Sequence, residues 1–170
     1  ETRQVVYPMH KALQPGGVRV AARTHGDNTP QPIRSLRDWL DHLAARERLV
    51  VVKPGTGLRF ELAAVAKRLD GLRATLFPRP GGHPIPVVSG LVSNRDWMAE
   101  AMGVEPKEVL ARFQDAALNP VPWRETESAP AQEVVHRQVD LEQLVPFPTH
   151  QEHASGPHLT AGPYITRNHL

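Results

Sequence analysis

Apolar side chains between residues 35 and 48 recur with the spacing of a helix that is buried along one face. The stripe repeats at i, i+3, i+4 and i+7 and consists of Leu36, Trp39, Leu40 and Leu43. Ser35 directly precedes the stripe, and Asp38 follows three residues later, which is the pattern of a capped helix start. We therefore predict an amphipathic helix that begins after Ser35 and ends near Arg48.

The next segments alternate between strand and helix patterns. Apolar and β-branched runs predict short strands at residues 49–53, 74–77 and 85–91. Residues 60–69 carry a second helical stripe, which consists of Leu62, Val65, Ala66 and Leu69. Gly71 follows this stripe as the expected C-cap. This order of elements predicts an α/β (α+β) fold in which helices cover a small sheet.

A helical hairpin is predicted after the third strand. Its first helix is capped by Ser93 with Asp96 and stops at Gly103. The apolar face of that helix consists of Trp97, Met98, Ala101 and Met102. The second helix begins at Pro106, because Pro suits the first helical position, and its predicted inward-facing side chains are Val109, Leu110 and Phe113. The spacing of the Trp and Met residues indicates core positions and not a ligand-binding cluster.

The regular patterns weaken in the last third of the chain. Residues 119–131 are rich in Pro and have no period, which indicates a crossing or a domain boundary. Residues 132–138 are predicted as a strand, and Asp140 as the cap of a single turn over residues 141–144. An alternating run at residues 164–167 predicts the beginning of a further strand.

These boundaries divide the chain into three parts. Residues 1–32 show neither helical nor strand periodicity and contain turn-forming sequences, so we expect a flexible N-terminal extension. Residues 33–131 hold the predicted α/β domain, and residues 132–170 form a third region. A chain of 170 residues with 40% hydrophobic content is large enough to bury one real core.

Composition and charge exclude several classes of function. The 20 Lys and Arg residues nearly balance the 18 Asp and Glu residues, and the two signs are interspersed, so a nucleic-acid surface is not indicated. The chain has no Cys, which excludes disulfides and thiolate metal sites. No apolar run approaches the ~18 residues of a membrane span, and the N-terminus has no signal-peptide pattern. We therefore expect a soluble, cytoplasmic protein that has no membrane partner.

A His-rich loop is the strongest candidate for metal chemistry. Its potential ligands are His150, Glu152, His153 and His158. His150 and His153 would share a face only on a helix, which Pro148 and Gly156 disfavour. We therefore favour a solvated loop and assign no metal ligand. A metal-dependent hydrolase site in this loop stays open as an alternative.

A series of short motifs follows one another between residues 33 and 167. The motifs are Ser35-Leu-Arg-Asp-Trp-Leu40, Ile85-Pro-Val-Val-Ser-Gly-Leu91, Gln132-Glu-Val-Val135, Val139-Asp-Leu-Glu-Gln-Leu144, Pro146-Phe-Pro-Thr-His150 and Gly156-Pro-His-Leu-Thr-Ala-Gly-Pro-Tyr-Ile-Thr-Arg167. In their order and intervals they resemble the N-terminal part of the UbiD family. That family comprises the reversible decarboxylases of aromatic and acrylic acids that use prenylated flavin mononucleotide (FMN).

The resemblance implies a larger enzyme than the printed sequence holds. An N-terminal α/β domain would be followed by a split β-barrel that holds the flavin and by a C-terminal dimerisation domain. The implied cofactors are prenylated FMN with Mn²⁺, and K⁺ is a further candidate. The metal ligands and the Glu-Arg-Glu catalytic network would fall beyond Leu170, so no catalytic residue is assigned in this chain. Only Thr160, in a turn with Gly162, corresponds to a family position near the flavin. Residues 164–167 would begin a barrel that the chain does not complete.

Our leading hypothesis is the N-terminal domain or a fragment of a UbiD-type (de)carboxylase that is inactive by itself. The complete enzyme would act reversibly on aromatic, heteroaromatic or α,β-unsaturated carboxylic acids. Its expected partners are the remainder of the same enzyme or a complementary subunit. A homo-oligomer is also expected, because an unpaired terminal strand can pair between chains. The competing hypothesis is a non-catalytic assembly module that uses its α/β layer and Pro-rich tail to dock a partner protein.

Overall fold

The predicted alternation of helices and strands is present in the structure, a computed structural model that describes residues 33–130, 133–153 and 156. The elements are α1 (Leu36–Ala45), β1 (Leu49–Val51), α2 (Glu61–Leu69), β2 (Ala74–Phe77), β3 (Val87–Ser89), α3 (Arg95–Met102), α4 (Val109–Leu118) and α5 (Leu141–Leu144). They form a small mixed sheet with helices packed against it. The predicted α+β class is therefore confirmed for the described residues.

The sheet has three strands in the order β1-β2-β3. β1 pairs with β2 in parallel, with Leu49 opposite Ala74, and α2 provides the crossover that a parallel pair requires. β3 pairs with β2 in the antiparallel direction, with Leu76 opposite Val88. β2 is central and all of its residues are buried, whereas β3 at the edge is half-buried.

The core lies between α1, α3 and the sheet. A cluster of buried side chains joins them and consists of Trp39, Leu43, Ala74 and Trp97. The indole N–H of Trp39 donates a hydrogen bond of 2.8 Å to the carbonyl oxygen of Leu91, so its one polar atom is satisfied. The predicted assignment of both Trp residues to the core is therefore confirmed.

The beginning of α1 follows the prediction closely. The Ser35 hydroxyl accepts a hydrogen bond of 3.2 Å from the Asp38 backbone N–H, as an N-cap does. The Asp38 carboxylate accepts a hydrogen bond of 3.1 Å from the Arg34 backbone N–H. The helix ends at Ala45, earlier than predicted, because the chain turns through a positive φ of 56° at Glu47.

The beginning of α3 differs from the prediction by one residue. Asn94 and not Ser93 is the N-cap, and its side-chain oxygen accepts a hydrogen bond of 2.9 Å from the Trp97 N–H. The Ser93 hydroxyl instead donates to the Gly90 carbonyl oxygen at 2.8 Å. Two adjacent cap-forming residues were present, and the tight turn before the helix uses the first of them. Gly103 ends the helix with a φ of 67°, as predicted.

The inward orientation predicted for α4 is wrong for most of its length. Val109 is buried, but Leu110 is 67% exposed and Phe113 is 54% exposed. α3 contacts the single turn at residues 106–108 and α4 itself. The apolar stripe therefore exists, but no element of the described ranges covers Leu110 or Phe113.

The strand predicted at residues 132–138 is also wrong where the structure describes it. Residues 133–138, including His136, form exposed irregular chain. β-branched residues such as Val134 favour a strand only when a neighbouring strand pairs with it, and this segment is not paired with the three-stranded sheet of the described residues. The turn at residues 141–144 is confirmed, with the Asp140 carboxylate accepting from the Glu142 N–H at 3.1 Å.

None of the helices in the described ranges has the length and apolarity that a bilayer span needs.

Candidate functional site

The predicted flavin contact lies outside the described residues. Thr160 and Gly162, the predicted strand at residues 164–167 and His158 all belong to the part of the chain that the structure does not describe. The cofactor assignment to Thr160 therefore stays a prediction. The residues that lead to this part of the chain are described, and their contacts define the candidate site.

The remaining members of the His-rich loop do not form a metal site. His150, Glu152 and His153 are exposed. Over the described ranges, no group of three or more His, Asp or Glu side chains is arranged to hold a metal ion. The described part of the chain therefore offers no complete site for Mn²⁺.

Residues 146–150 attach the third region of the chain to the α/β domain. The Phe60 N–H donates a hydrogen bond of 2.9 Å to the Thr149 carbonyl oxygen, and the Thr149 N–H donates one of 3.0 Å to the Leu58 carbonyl oxygen. Arg59 and Thr149 thereby form an isolated parallel bridge. The segment that leads toward Thr160 is therefore held at the beginning of α2.

The backbone at this junction is strained. Phe60 is the residue before α2, and its φ of 65° is rare for a large side chain and costs on the order of 1–3 kcal/mol. Local bonds support the conformation: the Glu61 carboxylate accepts from the Gly57 N–H at 2.7 Å, and the Phe60 carbonyl accepts from the Ala64 N–H. Such strain is concentrated at functional positions, so this junction is a candidate site.

A groove of about 480 Å³ opens beside the junction. The groove is lined by Phe60 before α2, by Ala63 and Lys67 of α2, by Ser89 at the end of β3 and by His150. Ala side chains on this face of α2 leave the space open. Sequence reasoning identified His150 but missed the α2 residues, for which the run of Ala was the available signal.

We expect Thr149→Pro to release this junction. The substitution removes the N–H that binds the Leu58 carbonyl, and a lost backbone hydrogen bond costs about 1 kcal/mol. The amide of Phe60, which binds the Thr149 carbonyl, should then exchange its hydrogen faster by about an order of magnitude. Hydrogen exchange followed by NMR measures this rate. Gln151→Pro, at an exposed position two residues further on, serves as the control. Equal exchange in both variants would contradict the anchoring role.

A second group of titratable side chains joins α1 and the residues that follow it to α3. The Glu100 carboxylate on α3 contacts the His42 Nε2 at 2.8 Å, the Arg46 Nε at 3.0 Å and the Arg48 guanidinium at 2.5 Å. The Arg46 guanidinium also lies 3.1 Å from the His42 Nδ1. Because Arg can only donate, Nδ1 accepts this bond and Nε2 carries the proton that binds Glu100. We call these four residues the Glu100 cluster.

The electrostatics of the cluster favour the charged form of Glu100. Burial alone would raise the pKa of the Glu100 carboxyl, but the hydrogen bonds from His42 and Arg48 outweigh burial and lower it below its ordinary value. The ring of His42 stacks on Trp39 at 5.1 Å, and Arg48 lies over the ring of Trp97. The cluster thus links α1, the chain before β1, and α3 across the edge of the core. Its contacts are all internal, so we assign it to stability.

A family model and one protein of known sequence match this chain. Residues 40–117 match the family model of the 3-octaprenyl-4-hydroxybenzoate carboxy-lyase N-terminal domain, the UbiD N-terminal domain. The chain is also 32% identical over 146 residues to a protein of Rhodospirillum rubrum described as an uncharacterized protein in the cooM 5′ region. The match covers 82% of this chain but only 31% of that protein.

Solved structures give the same result with higher identity. An evolved dimeric form of the UbiD-class enzyme HmfF from Pelotomaculum thermopropionicum, in complex with prenylated FMN, is 38% identical and superimposes with a TM-score of 0.67. HmfF in complex with FMN is 37% identical with a TM-score of 0.66. Each match covers 72% of this chain and about 30% of the HmfF chain. The chain thus spans less than a third of the length of these relatives, and its residues 40–117 match the N-terminal domain of the UbiD family.

Proposed function

We propose that this chain is the N-terminal part of a UbiD-type decarboxylase, where it supports the flavin domain and forms one wall of the active-site cleft. The observation that carries the proposal is the junction at Thr149. It holds the segment leading to Thr160 against a domain that is similar to the N-terminal part of HmfF at 38% identity. In a complete enzyme the position of the first flavin contact would then depend on this attachment.

The described residues fit a supporting role and not a reacting one. They form no metal cluster, and the titratable groups of the Glu100 cluster are engaged with one another. We therefore assign prenylated FMN, Mn²⁺ and the candidate K⁺ to the complete enzyme, with Thr160 as the one proposed contact from this chain. When bound, the prenylated flavin supplies the electron sink for the loss of CO₂. The metal-dependent hydrolase alternative gains no support from His150, Glu152 and His153.

The substrates, location, oligomeric state and domain boundaries that we propose are taken from the resemblance to the UbiD family. The complete enzyme would act reversibly on aromatic, heteroaromatic or α,β-unsaturated carboxylic acids, in the cytoplasm, as a homo-oligomer. Residues 33–131 would be its N-terminal domain and residues 132–170 the entry into its split β-barrel. The isolated chain would be inactive, since the catalytic network and the metal ligands would lie downstream of it.

A fusion tests this proposal. The whole chain replaces the matching N-terminal part of HmfF, and FMN binding is followed by flavin absorbance after gel filtration. We expect stoichiometric FMN in the fusion. We expect no flavin binding and no CO₂ release when the isolated chain is mixed with prenylated FMN, Mn²⁺ and an aromatic acid. HmfF that lacks its N-terminal part is the control. A folded fusion without flavin, or turnover by the isolated chain, would overturn the proposal.

A further inference from the structure

An apolar face on α4 is left uncovered in the described structure. Leu110, Phe113 and Ala117 follow one another at i, i+3 and i+7 and lie along one side of the helix. The other side carries Arg112 and Asp115, which pair with each other at 2.9 Å. We call the first three residues the α4 face. The helix is thus amphipathic, although most of its apolar side is exposed.

The segment after α4 carries further exposed apolar side chains. Val121 is 90% exposed and Trp123 is 81% exposed, in a stretch without regular structure. The chain contacts the domain again at Gln143, whose carbonyl oxygen lies 3.0 Å from the His83 Nε2, and then at Thr149. The exposed apolar residues therefore lie on the stretch of chain that connects the family-matched domain to the junction.

Large exposed apolar side chains that follow one another along a helix and the segment after it are typical of an interaction surface. Isolated exposed apolar residues are common, but a helical stripe that is followed by an exposed Trp is unusual. Trp residues are also enriched among the positions that contribute most to the affinity of interfaces. Within the described ranges, no element covers these side chains.

We propose that the α4 face, together with Trp123, packs against the part of a UbiD-class chain that follows this region. The inference rests on the proposed function and names the partner surface for it. Roughly 70% of the HmfF chain lies outside its match to this chain. The exposed segment lies between α4 and the junction at Thr149, from which a following domain would be reached. The partner is thus an apolar surface on that following domain.

The size of the face favours this partner over a second copy of the chain. One helical stripe and a Trp offer a few hundred Å² on an order-of-magnitude basis, whereas a stable dimer buries about 800 Å² on each partner. Contacts between domains of one polypeptide can be smaller and more polar, because the covalent link keeps the local concentration high. The α4 face therefore suits a covalently linked domain.

Leu110→Lys and Ala111→Lys form a matched pair for the test. The two residues are adjacent and exposed, both substitutions add one positive charge, but only Leu110 belongs to the α4 face. In the isolated chain we expect both variants to melt at the temperature of the native chain, because neither side chain is buried. A large destabilisation by Leu110→Lys alone would show that the chain itself covers the face, and it would overturn the proposal.

The second measurement uses the HmfF fusion with a protease site inserted after Leu170. After cleavage, we expect the two native pieces to remain together on gel filtration. Leu110→Lys should lower the associated fraction at least tenfold at equal concentration, and Ala111→Lys should not. Pieces that separate in the native fusion, or an association that Leu110→Lys leaves unchanged, would overturn the proposal. If such a fusion still binds FMN, the proposed function stands and this inference alone fails.

Sedimentation of the isolated native chain tests whether a second copy of the chain covers the α4 face instead. We expect a monomer at micromolar concentration. A dimer that Leu110→Lys dissociates and Ala111→Lys preserves would assign the face to a second copy of this chain. That result would replace the inference drawn here, whereas flavin binding by the fusion would be unaffected by it.

Discussion

Replacing Phe77 by Ala should lower the free energy of unfolding by about 3–5 kcal/mol, the range found for large aromatic residues in well-packed cores. Phe77 ends the central strand, is fully buried and lies opposite Val87 on β3. Its neighbours on the strand are buried as well, so the surrounding residues have little freedom to fill the cavity. The loss would be a large part of the stability of a domain of this size.

Urea unfolding followed by circular dichroism measures this loss. Leu72→Ala is the matched control, because Leu72 lies just before the same strand and is 70% exposed. We expect the control to change stability by less than about 0.5 kcal/mol. The slope of the transition should stay the same in both variants, which shows that the denatured state has not changed. A loss below about 1 kcal/mol for Phe77→Ala would contradict the buried position of this residue.

The elements with a strong local pattern were predictable from the sequence. The stripe of α1 indicates which side of the helix is buried, and the continuous apolar run of β2 indicates a strand that is buried on both sides. Ser35 and Gly103 mark helix ends because their chemistry acts within one turn. Local rules could not identify the N-cap where two adjacent residues were both suited to that position. At the start of α3, the choice between Ser93 and Asn94 depended on the turn at Gly90.

The errors share one physical cause. The α4 stripe and the β-branched pair in residues 133–138 have the composition of buried elements, but burial requires a partner surface that the local sequence does not contain. If the α4 face packs on a following domain, its pattern is correct for the complete enzyme. An amphipathic pattern therefore predicts that a face will be covered, without identifying the element that covers it.

The candidate site was predictable only in part. The sequence directed attention to the stretch containing His150, which lies outside the residues that the family model matches. The groove depends on the contact between Thr149 and Phe60, which are far apart in the chain. No local signal predicts a positive φ at a Phe, because this conformation is normally left to Gly or Asn. Strain of this kind persists only when the rest of the structure enforces it.

Glu100→Gln should cost about 1–3 kcal/mol at neutral pH. The carboxylate accepts charge-assisted hydrogen bonds from His42 and Arg48, and each such bond contributes about 1.5–3 kcal/mol when it is well formed. The Glu100 side chain is 27% exposed, so solvent screening reduces the total below the sum. The amide of Gln keeps the shape of the side chain and removes the charge. Glu125→Gln, at an exposed position, is the control and should have little effect.

The effect of this substitution should depend on pH in a defined direction. Because the pKa of Glu100 is lower in the folded state than its ordinary value of 4.5, the charged carboxylate stabilises the fold above about pH 4.5. This contribution is lost as the pH falls through the folded-state pKa. The stability difference between the native chain and Glu100→Gln should therefore be present at neutral pH and shrink as the pH falls below about 4.5. Urea unfolding at a series of pH values measures it. A difference that grows on acidification would mean that burial and not the cations dominates the pKa of this carboxyl.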